Sequence, residues 1–307
     1  MSNQGKAYVC AAGAVFLWST VASAFKLTLR HLDHLQLLAL SACFSCLALF
    51  ALLLARGRIG DLGRCTALDL LRSLGLGVLN PFLYYLVLFK AYDLLPAQEA
   101  QPLNFIWPIV MVLLAAPLLG QAVTLRDMAA LVVSFAGVVV IATHGRVFSW
   151  HMNSPLGVAL AVGSSLVWSL FFLLNARDKR REEVKLFLNF LFGSIFALAA
   201  MAMWSSPPEL RWAGWGGALY VGLFEMGFTF VLWLKALRLS SSTARVSNLV
   251  YLAPFISLVF IHCLVGERIG AYTIAGLLLI TGGIALQRSQ KAPSGRALSR
   301  TGEAPGS

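Results

Sequence analysis

The most chemically distinctive residue of the 307-residue sequence is Glu225, an acidic side chain inside a long apolar run. That run covers about residues 213–234 and is long enough to cross a membrane as a helix. A carboxylate at such a depth is costly, whether it is ionised and paired or protonated, so it is a functional candidate by default. Three roles are open for Glu225: it could carry a coupling proton, bind an amine group of a substrate, or form a buried hydrogen bond to a facing helix.

Aromatic side chains with polar edges form a second group of candidates. Trp and Tyr normally collect at the two membrane interfaces, and a buried indole N–H or phenol O–H needs a partner. Six such residues lie near the centres of five apolar runs: Trp18, Tyr84, Tyr85, Trp107, Trp168 and Tyr251. We expect them to line one shared pocket, with packing between helices as the alternative for each. Adjacent helical residues point about 100° apart, so only one of the two neighbouring tyrosines should face the pocket, and we favour Tyr84.

Five further residues could shape this pocket. Ser19 and Asn104 offer hydrogen-bonding groups, and Asn104 could either donate to a substrate carboxylate or tie two helices together. Pro81, Pro108 and Pro254 each fall inside an apolar run. Proline there removes a backbone hydrogen bond and opens a carbonyl to other partners. Such helix interruptions are either structural kinks or pointers to a substrate site.

Motifs for catalysis, cofactors and metals are missing from the sequence. It has no phosphate-cradling glycine loop, no H-E-x-x-H and no G-x-S-x-G. His31 and His34 flank Asp33 in a short loop but lack further ligands, and the Cys43 and Cys46 pair lies inside an apolar run. We therefore predict no metal, no cofactor and no enzyme activity, and ATP hydrolysis by this chain is excluded.

The elements that must position these residues are membrane helices. Hydrophobic residues make up 59% of the chain and charged residues only 12%, whereas an ordinary soluble domain has about 25% charged residues. Apolar runs of membrane-crossing length lie near residues 7–27, 35–54, 70–91, 98–118, 126–143, 155–175, 186–204, 213–234, 244–264 and 271–287. They predict an all-α integral membrane protein with ten transmembrane helices.

The basic residues predict the orientation of these helices. The net charge is +11, and of the 24 Lys and Arg residues 18 fall on the side of the N-terminus and six on the opposite side. The positive-inside rule then places both termini in the cytoplasm. Because these residues lie in loops and in the tail rather than along one face of a folded domain, we exclude nucleic acid as a partner. Residues 288–307 have the composition of a disordered cytoplasmic tail.

An internal repeat relates the two halves of the chain. The segment FKAYDL at 89–94 matches LKALRL at 234–239 at an offset of 145. At an offset of 146, Pro108, Gly120-Gln121 and Gly137 match Pro254, Gly266-Glu267 and Gly283. A looser echo pairs Leu17-Trp18-Ser19 with Val167-Trp168-Ser169. Internal symmetry of this kind is typical of transporter folds.

The repeat predicts two units, residues 1–147 with spans 1–5 and residues 148–287 with spans 6–10, followed by the tail. Because each unit has an odd number of spans, the second copy must enter the membrane from the opposite side. Two inverted units can exchange conformations, so that a central cavity opens first to one side and then to the other. The substrate site should then lie near the midplane between the two halves.

These patterns resemble a known family. The FLWST stretch at 16–20, the Lys-Ala ends of spans 3 and 8, and the Pro and Gly-Gln/Glu pattern of spans 4 and 9 are similar to EamA-type members of the drug/metabolite transporter superfamily. The resemblance covers about residues 8–287. In addition, the NFIWP stretch at 104–108 is similar to the aromatic amino-acid exporter branch. The resemblance implies a multi-pass exporter of amino acids or similar small metabolites in a bacterial inner membrane.

The leading hypothesis is therefore a secondary transporter that works by alternating access. Its partners would be a small-molecule substrate, the lipid bilayer and, if transport is ion-coupled, protons, and a monomer is plausible. One alternative is an intramembrane enzyme acting on lipids or isoprenoids, which would need paired acids or metal ligands near one interface. The other is a membrane scaffold that transports nothing, for which two interconvertible halves would serve no purpose.

Overall fold

The computed structural model describes residues 2–120, 122–148, 152, 154–240 and 249–288, and every regular element in these ranges is helical. The α-helices are α1 (Asn3–Thr28), α2 (His34–Ala55), α3 (Ala67–Gly77), α4 (Tyr84–Leu94), α5 (Ala97–Asn104), α6 (Trp107–Leu119), α7 (Leu125–Ala142), α8 (Pro155–Ala176), α9 (Glu182–Trp204), α10 (Trp212–Tyr220), α11 (Thr229–Leu239), α12 (Ala253–Phe260) and α13 (Ala271–Arg288). Short 3-10 turns lie at Ile59–Arg64 and Leu249–Leu252, and π-helical segments at Val78–Leu83, Val221–Phe228 and Ile261–Val265.

Polar caps and glycines set several helix boundaries. Asp33, Thr66 and Thr124 each open a capping box, in which the side chain binds a backbone N–H of the first turn. Gly120 and Gly266 end α6 and the last π-helical segment with φ angles of 67° and 83°, a left-handed conformation that favours glycine. These boundaries lie within a few residues of those predicted from apolar runs.

The helices are those of a protein that crosses a membrane repeatedly. Seven helical stretches in the described ranges are long and apolar enough to span a bilayer: Asn3–Thr28, His34–Ala55, Ala67–Leu94, Ala97–Leu118, Leu125–Ala142, Pro155–Ala176 and Glu182–Trp204. Shorter apolar helices cover Leu249–Val265 and Ala271–Gln287, and residues 212–239 are helical throughout. The predicted all-α, multi-pass membrane protein is therefore confirmed.

Hydrogen bonds between distant segments identify which helix ends lie on the same side. The start of α1 meets the end of α11, because the Ser240 hydroxyl donates to the Gln4 side chain over 3.4 Å. The loop after α1 meets the last π-helical segment, since the Arg30 guanidinium donates to the Val265 carbonyl over 2.9 Å. We call the side that holds the start of α1 the N-terminal side, and the side that holds the loop after α1 the opposite side.

Helices α7 and α13 pack through residues that the repeat makes equivalent. A Cβ on Gly137 would lie 2.5 Å from the Gly276 carbonyl oxygen, and a Cβ on Gly283 would lie 2.7 Å from the Ala130 carbonyl oxygen. Gly283 stands 146 positions after Gly137, and Gly276 stands 146 positions after Ala130. Each helix therefore presents the same pair of positions to the other, as expected of two halves related by an approximate two-fold axis.

A second pair of contacts repeats the same relation. A Cβ on Gly77 would lie 2.5 Å from the Asn189 carbonyl oxygen, so α3 and α9 touch backbone to backbone. A Cβ on Gly222 would lie 2.6 Å from the Ser41 carbonyl oxygen, which brings the π-helical segment at 221–228 equally close to α2. Gly222 follows Gly77 by 145 positions and Asn189 follows Ser41 by 148. The internal repeat seen in the sequence is thus also a repeat of contacts.

Substituting Gly137 tests this close approach. Gly137→Ala places a methyl group against a backbone oxygen that cannot move aside, so we expect a loss of roughly 1–3 kcal/mol. Gly163→Ala is the matched control, because a Cβ at this helical position of α8 meets nothing within 4 Å. That control should be neutral or stabilising by up to about 1 kcal/mol. Melting temperatures of the purified proteins in detergent measure the difference, and equal values for both variants would contradict the packing described.

Candidate substrate site

Glu225 lies where the helical backbone changes its hydrogen-bond pattern. It belongs to the π-helical segment Val221–Phe228, which joins α10 to α11. The corresponding segment of the first half, Val78–Leu83, is also π-helical and joins α3 to α4. Wider turns of this kind are frequent at functional sites because they redirect side chains and loosen the backbone ladder. Both halves therefore carry an irregular turn at the same place in the repeat.

Glu225 is partly buried as a residue, and its carboxylate has few partners. The Tyr85 hydroxyl donates to its Oε1 over 3.2 Å. Within the described ranges, no basic side chain forms an ion pair with it. An acid at this depth with no ion-pair partner among the described side chains can accept a positive charge from a bound molecule or a proton.

Aromatic rings adjoin the carboxylate. The ring centroids of Tyr84 and Tyr85 lie 4.6 Å apart, and those of Tyr84 and Trp168 lie 4.9 Å apart. Both tyrosines are buried, whereas Trp168 is partly exposed. We expected only Tyr84 to face the site, and the structure adds that the neighbouring Tyr85 binds Glu225. Consecutive residues can contribute together here because one contacts Glu225 and the other contacts α8.

Asn104 connects three helices at this site. Its amide nitrogen donates to the Ser164 hydroxyl of α8 over 2.8 Å, and its side-chain oxygen lies 3.5 Å from the Tyr84 hydroxyl of α4. Both ends of the amide are therefore engaged within the protein, which favours the helix-tying role over direct binding of a carboxylate. We refer to Tyr84, Tyr85, Asn104, Trp168 and Glu225 as the central cluster.

The other predicted pocket residues have different neighbours. Trp107 begins α6, its ring lies 6.5 Å from that of Phe172, and its carbonyl accepts a hydrogen bond from Ser169. The Trp18 ring lies 5.5 Å from that of Trp233. These contacts do not themselves connect either tryptophan to the central cluster.

Ser19 and Tyr251 also have defined surroundings. Ser19 is buried and donates to the Val15 carbonyl of its own helix. Tyr251 lies edge-on to Phe105, with ring centroids 6.2 Å apart. Phe105 and Tyr251 are equivalent in the repeat at the offset of 146, so this contact joins matching positions of the two halves.

The three prolines accompany breaks between helical segments. Pro81 lies in the first π-helical segment, directly after Asn80, whose backbone is not helical. Pro108 lies at the start of α6 and Pro254 at the start of α12, rather than in the middle of a continuous helix. Proline is compatible with a first helical turn, because the N–H it lacks has no partner there. These two prolines therefore follow breaks in their spans.

Asn80 is a further candidate residue that reasoning from single positions missed. It stands 145 positions before Glu225 and occupies the matching place in the first half. Its side chain is buried, and among the described residues its oxygen has no hydrogen-bond partner. An amide oxygen left in this state is costly unless a ligand or water satisfies it. Applying the repeat offset to Glu225 would have identified Asn80 from the sequence.

A polar contact on the opposite side was also missed. α5 begins without a side-chain cap from its own segment, and the Glu267 carboxylate caps it from the second half. The Ala97 N–H donates to Glu267 over 2.8 Å, and the Gln98 N–H donates to its second oxygen over 3.0 Å. The Gln98 side chain accepts from the Gly270 N–H and from the Thr273 hydroxyl.

Glu99, the next residue along the chain, adds a buried carboxylate to this contact. Its Oε1 lies 2.9 Å from Nε2 of His144, at the end of α7, and accepts from the Tyr272 hydroxyl over 3.2 Å. Residues 97–99 therefore bind residues 267–273 through three consecutive positions, and we call this the 97–99 contact. Its polar residues lie next to predicted span ends, where charge is expected, so hydropathy gave no signal for it.

The fold and the central cluster together define a class of protein. An all-α membrane protein with two matching halves and a carboxylate beside an aromatic cluster inside the membrane has the features of a membrane transporter. Comparison with known families agrees. The family model of the EamA-like transporter family matches residues 5–143 and again residues 155–288. The chain therefore belongs to the EamA-like transporter family and contains two copies of its domain.

Individual relatives are transporters by name. The chain is 27% identical over 223 residues to the uncharacterized transporter YvbV of Bacillus subtilis, covering 70% of this chain and 72% of that protein. It is 26% identical over 279 residues to the aromatic amino acid exporter YddG of Ancylobacter novellus, covering 88% and 92%. It is 30% identical over 288 residues to a probable terminal-alkyne amino-acid exporter of Streptantibioticus cattleyicolor, covering 90% and 95%.

A solved crystal structure shares the fold. It superposes with a TM-score of 0.66 at 22% identity and covers 93% of this chain and 97% of the other.

Replacing Trp168 tests whether the central cluster binds substrate. Loss of the indole removes the ring beside Tyr84, so Trp168→Ala should raise the apparent KM for transport into reconstituted vesicles roughly fivefold or more. Trp107→Ala should have a similar effect if the pocket extends to α6. Trp204→Ala is the control, because this tryptophan at the end of α9 is 70% exposed. Unchanged kinetics in the Trp107 and Trp168 variants would contradict the pocket assignment.

Proposed function

We propose that the protein is a secondary transporter that exports small amphipathic molecules with an amine group, amino acids among them, by alternating access. On this proposal the chain crosses a bacterial inner membrane ten times, with both termini in the cytoplasm. The excess of basic residues on the N-terminal side supports the orientation. The matching contacts of the two halves support an inverted pair of units, residues 1–147 and 148–287.

The observation that carries the proposal is the Glu225 carboxylate. It accepts a hydrogen bond from Tyr85, it belongs to a residue that is only partly buried, and no cation pairs with it among the described side chains. A substrate ammonium group could pair with this carboxylate while its apolar part packs on the rings of Tyr84 and Trp168. A proton could occupy the same carboxylate when substrate is absent. Competition between the two would couple export of the substrate to entry of protons.

The names of the relatives fit this substrate class. One is called an aromatic amino acid exporter and another a probable terminal-alkyne amino-acid exporter. Both names describe molecules that combine an amine with an apolar side chain. The aromatic rings of the central cluster are suited to such side chains, and the carboxylate is suited to the amine.

Alternating access requires contacts that close one side and later open. The 97–99 contact joins the two halves on the side opposite the N-terminus, which on this proposal is the external side. The Lys26 ammonium donates to the Tyr92 and Leu95 carbonyls on the same side, within the first half. Release of substrate to the outside would require the 97–99 contact to break. Asn80 and Glu225, at matching places in the repeat, would remain between the moving halves.

Glu225→Gln separates the roles open to this residue. It keeps the size of the side chain but can neither titrate nor neutralise an ammonium group. Counterflow of an amine ligand, selected from an amino-acid panel by thermal shift, should fall by about tenfold or more in reconstituted vesicles. Glu209→Gln is the control, because that carboxylate is 72% exposed and pairs with Arg211 on the surface.

The outcomes of this experiment differ for each role. If Glu225 only carries the coupling proton, counterflow persists but an imposed pH gradient no longer accelerates transport. If it binds the amine, counterflow itself collapses. If the role is structural, transport and its pH dependence stay unchanged and only the melting temperature falls, which would contradict the proposed function.

The Glu267 cap provides a test of the closed side. Glu267→Gln leaves one oxygen to satisfy two backbone N–H groups and removes the charge that strengthens both bonds, a loss of about 1.5–3 kcal/mol. Amide hydrogens at the start of α5 should then exchange roughly tenfold faster or more. Hydrogen-deuterium exchange of a peptide covering residues 97–104 measures this, with Glu209→Gln as the control. Equal exchange in all three proteins would show that the cap does not hold this side closed.

A further inference from the structure

A basic cavity opens on the N-terminal side, away from the central cluster. It has a volume of about 390 Å³ and lies between the end of α2 and the start of α9. Its lining consists of three basic and two acidic side chains: Arg56, Arg58, Arg181, Glu182 and Glu183. Because both helices are membrane-crossing stretches that end here, the cavity lies at the level of lipid headgroups.

The two acidic residues of the lining are already neutralised. Glu183 forms an ion pair with Arg56. Glu182 forms one with Lys185, with Nζ and Oε1 2.8 Å apart. Neither carboxylate therefore presents a free negative charge to a molecule entering the cavity. The charge left to act on such a molecule is that of Arg58 and Arg181, partly offset by the nearby Asp61 carboxylate.

These two arginines retain unused hydrogen-bonding capacity. Both approach Oδ2 of Asp61, at 3.9 Å from Arg58 and 3.7 Å from Arg181. These distances exceed the 2.7–3.2 Å typical of a hydrogen bond, so Asp61 attracts both guanidinium groups without satisfying their N–H donors. The Arg58 and Arg181 side chains are 41% and 57% exposed. They can turn toward a ligand that offers several acceptor oxygens, and phosphate is the anion that best matches a guanidinium fork.

The start of α9 adds to the positive character of the cavity. Arg181 is the N-cap residue, and no side chain caps the helix there. The first N–H groups of a helix have no carbonyl partner within it, and the helix dipole places partial positive charge at this end. An anion held between Arg58 and Arg181 would lie beside these groups.

The surroundings of the cavity favour a lipid over a free anion. Phe50, Leu54 and Ile59, which flank the cavity arginines in the sequence, are exposed apolar side chains. In a bilayer their exposed surface would contact acyl chains just below the headgroups. A molecule with a phosphate group attached to apolar chains would satisfy the arginines and cover this surface together.

We propose that this cavity binds the headgroup phosphate of an anionic membrane phospholipid, held mainly by Arg58 and Arg181. Because the site bridges the first half at α2 and the second half at α9, a bound lipid would link the two units on the N-terminal side. The proposal does not depend on the identity of the transported substrate.

Native mass spectrometry of the full chain with phosphatidylglycerol tests the proposal. The double variant Arg58→Gln with Arg181→Gln should bind this lipid about tenfold more weakly than the unchanged protein. The control is Arg72→Gln with Arg126→Gln, which removes two charges from the same side of the membrane. Both residues lie outside the cavity lining and form no ion pair with Asp61, and the Arg72 side chain is 57% exposed. The control should retain its bound lipid.

Other outcomes would overturn the proposal. Equal loss of phosphatidylglycerol in both double variants would mean that net charge alone attracts the lipid. Displacement of the lipid by millimolar inorganic phosphate would assign the cavity to a free anion. Equal retention of phosphatidylcholine and phosphatidylglycerol would remove the requirement for an anionic headgroup. If the double variant fails to fold, single Arg58→Gln and Arg181→Gln variants, each compared with Arg72→Gln, give the same test.

Discussion

The structure depends on the rule that a polar group inside hydrocarbon must find a partner within the protein or in a bound molecule. Most polar side chains near the membrane centre obey it through their own helix or a neighbouring helix, as Ser19 and Asn104 do. Glu225 is different, since the Tyr85 hydroxyl supplies one neutral hydrogen bond to a group that can carry a full charge. One neutral hydrogen bond does not compensate for burying a negative charge, so a cationic ligand or a proton would stabilise this carboxylate.

The two-fold relation of the halves explains the position of this carboxylate. Both halves carry a π-helical turn at the same place, but one holds Asn80 and the other Glu225, so a symmetric backbone presents an asymmetric pair of polar groups. The loops differ in the same way, since Gln121 of the first half corresponds to Glu267 of the second. The two halves therefore share a backbone arrangement but differ in the polar side chains that they place on it.

Much of this could be predicted from the sequence. Apolar runs predicted the helices in the described ranges to within a few residues, because helix length is encoded locally. The repeat offset identified Gly137 and Gly283 as equivalent positions, and the structure shows that both lie at the contact between α7 and α13. The partner of Glu225 could not be predicted, since Tyr85 reaches it through a fold that brings residues 140 positions apart together. Glu99 was missed for a related reason: its burial depends on His144 and Tyr272, which no local pattern connects with it.

The central claim is that a substrate ammonium group and a proton compete for Glu225. Proton release on ligand binding tests it most directly, using purified protein in weakly buffered detergent solution, an amine ligand identified by thermal shift and a pH-sensitive dye. At a pH where the carboxyl is protonated, ligand binding should release up to about one proton per chain from the unchanged protein. No release is expected from Glu225→Gln, even at ligand concentrations that saturate it. Equal proton release from both proteins would contradict the account.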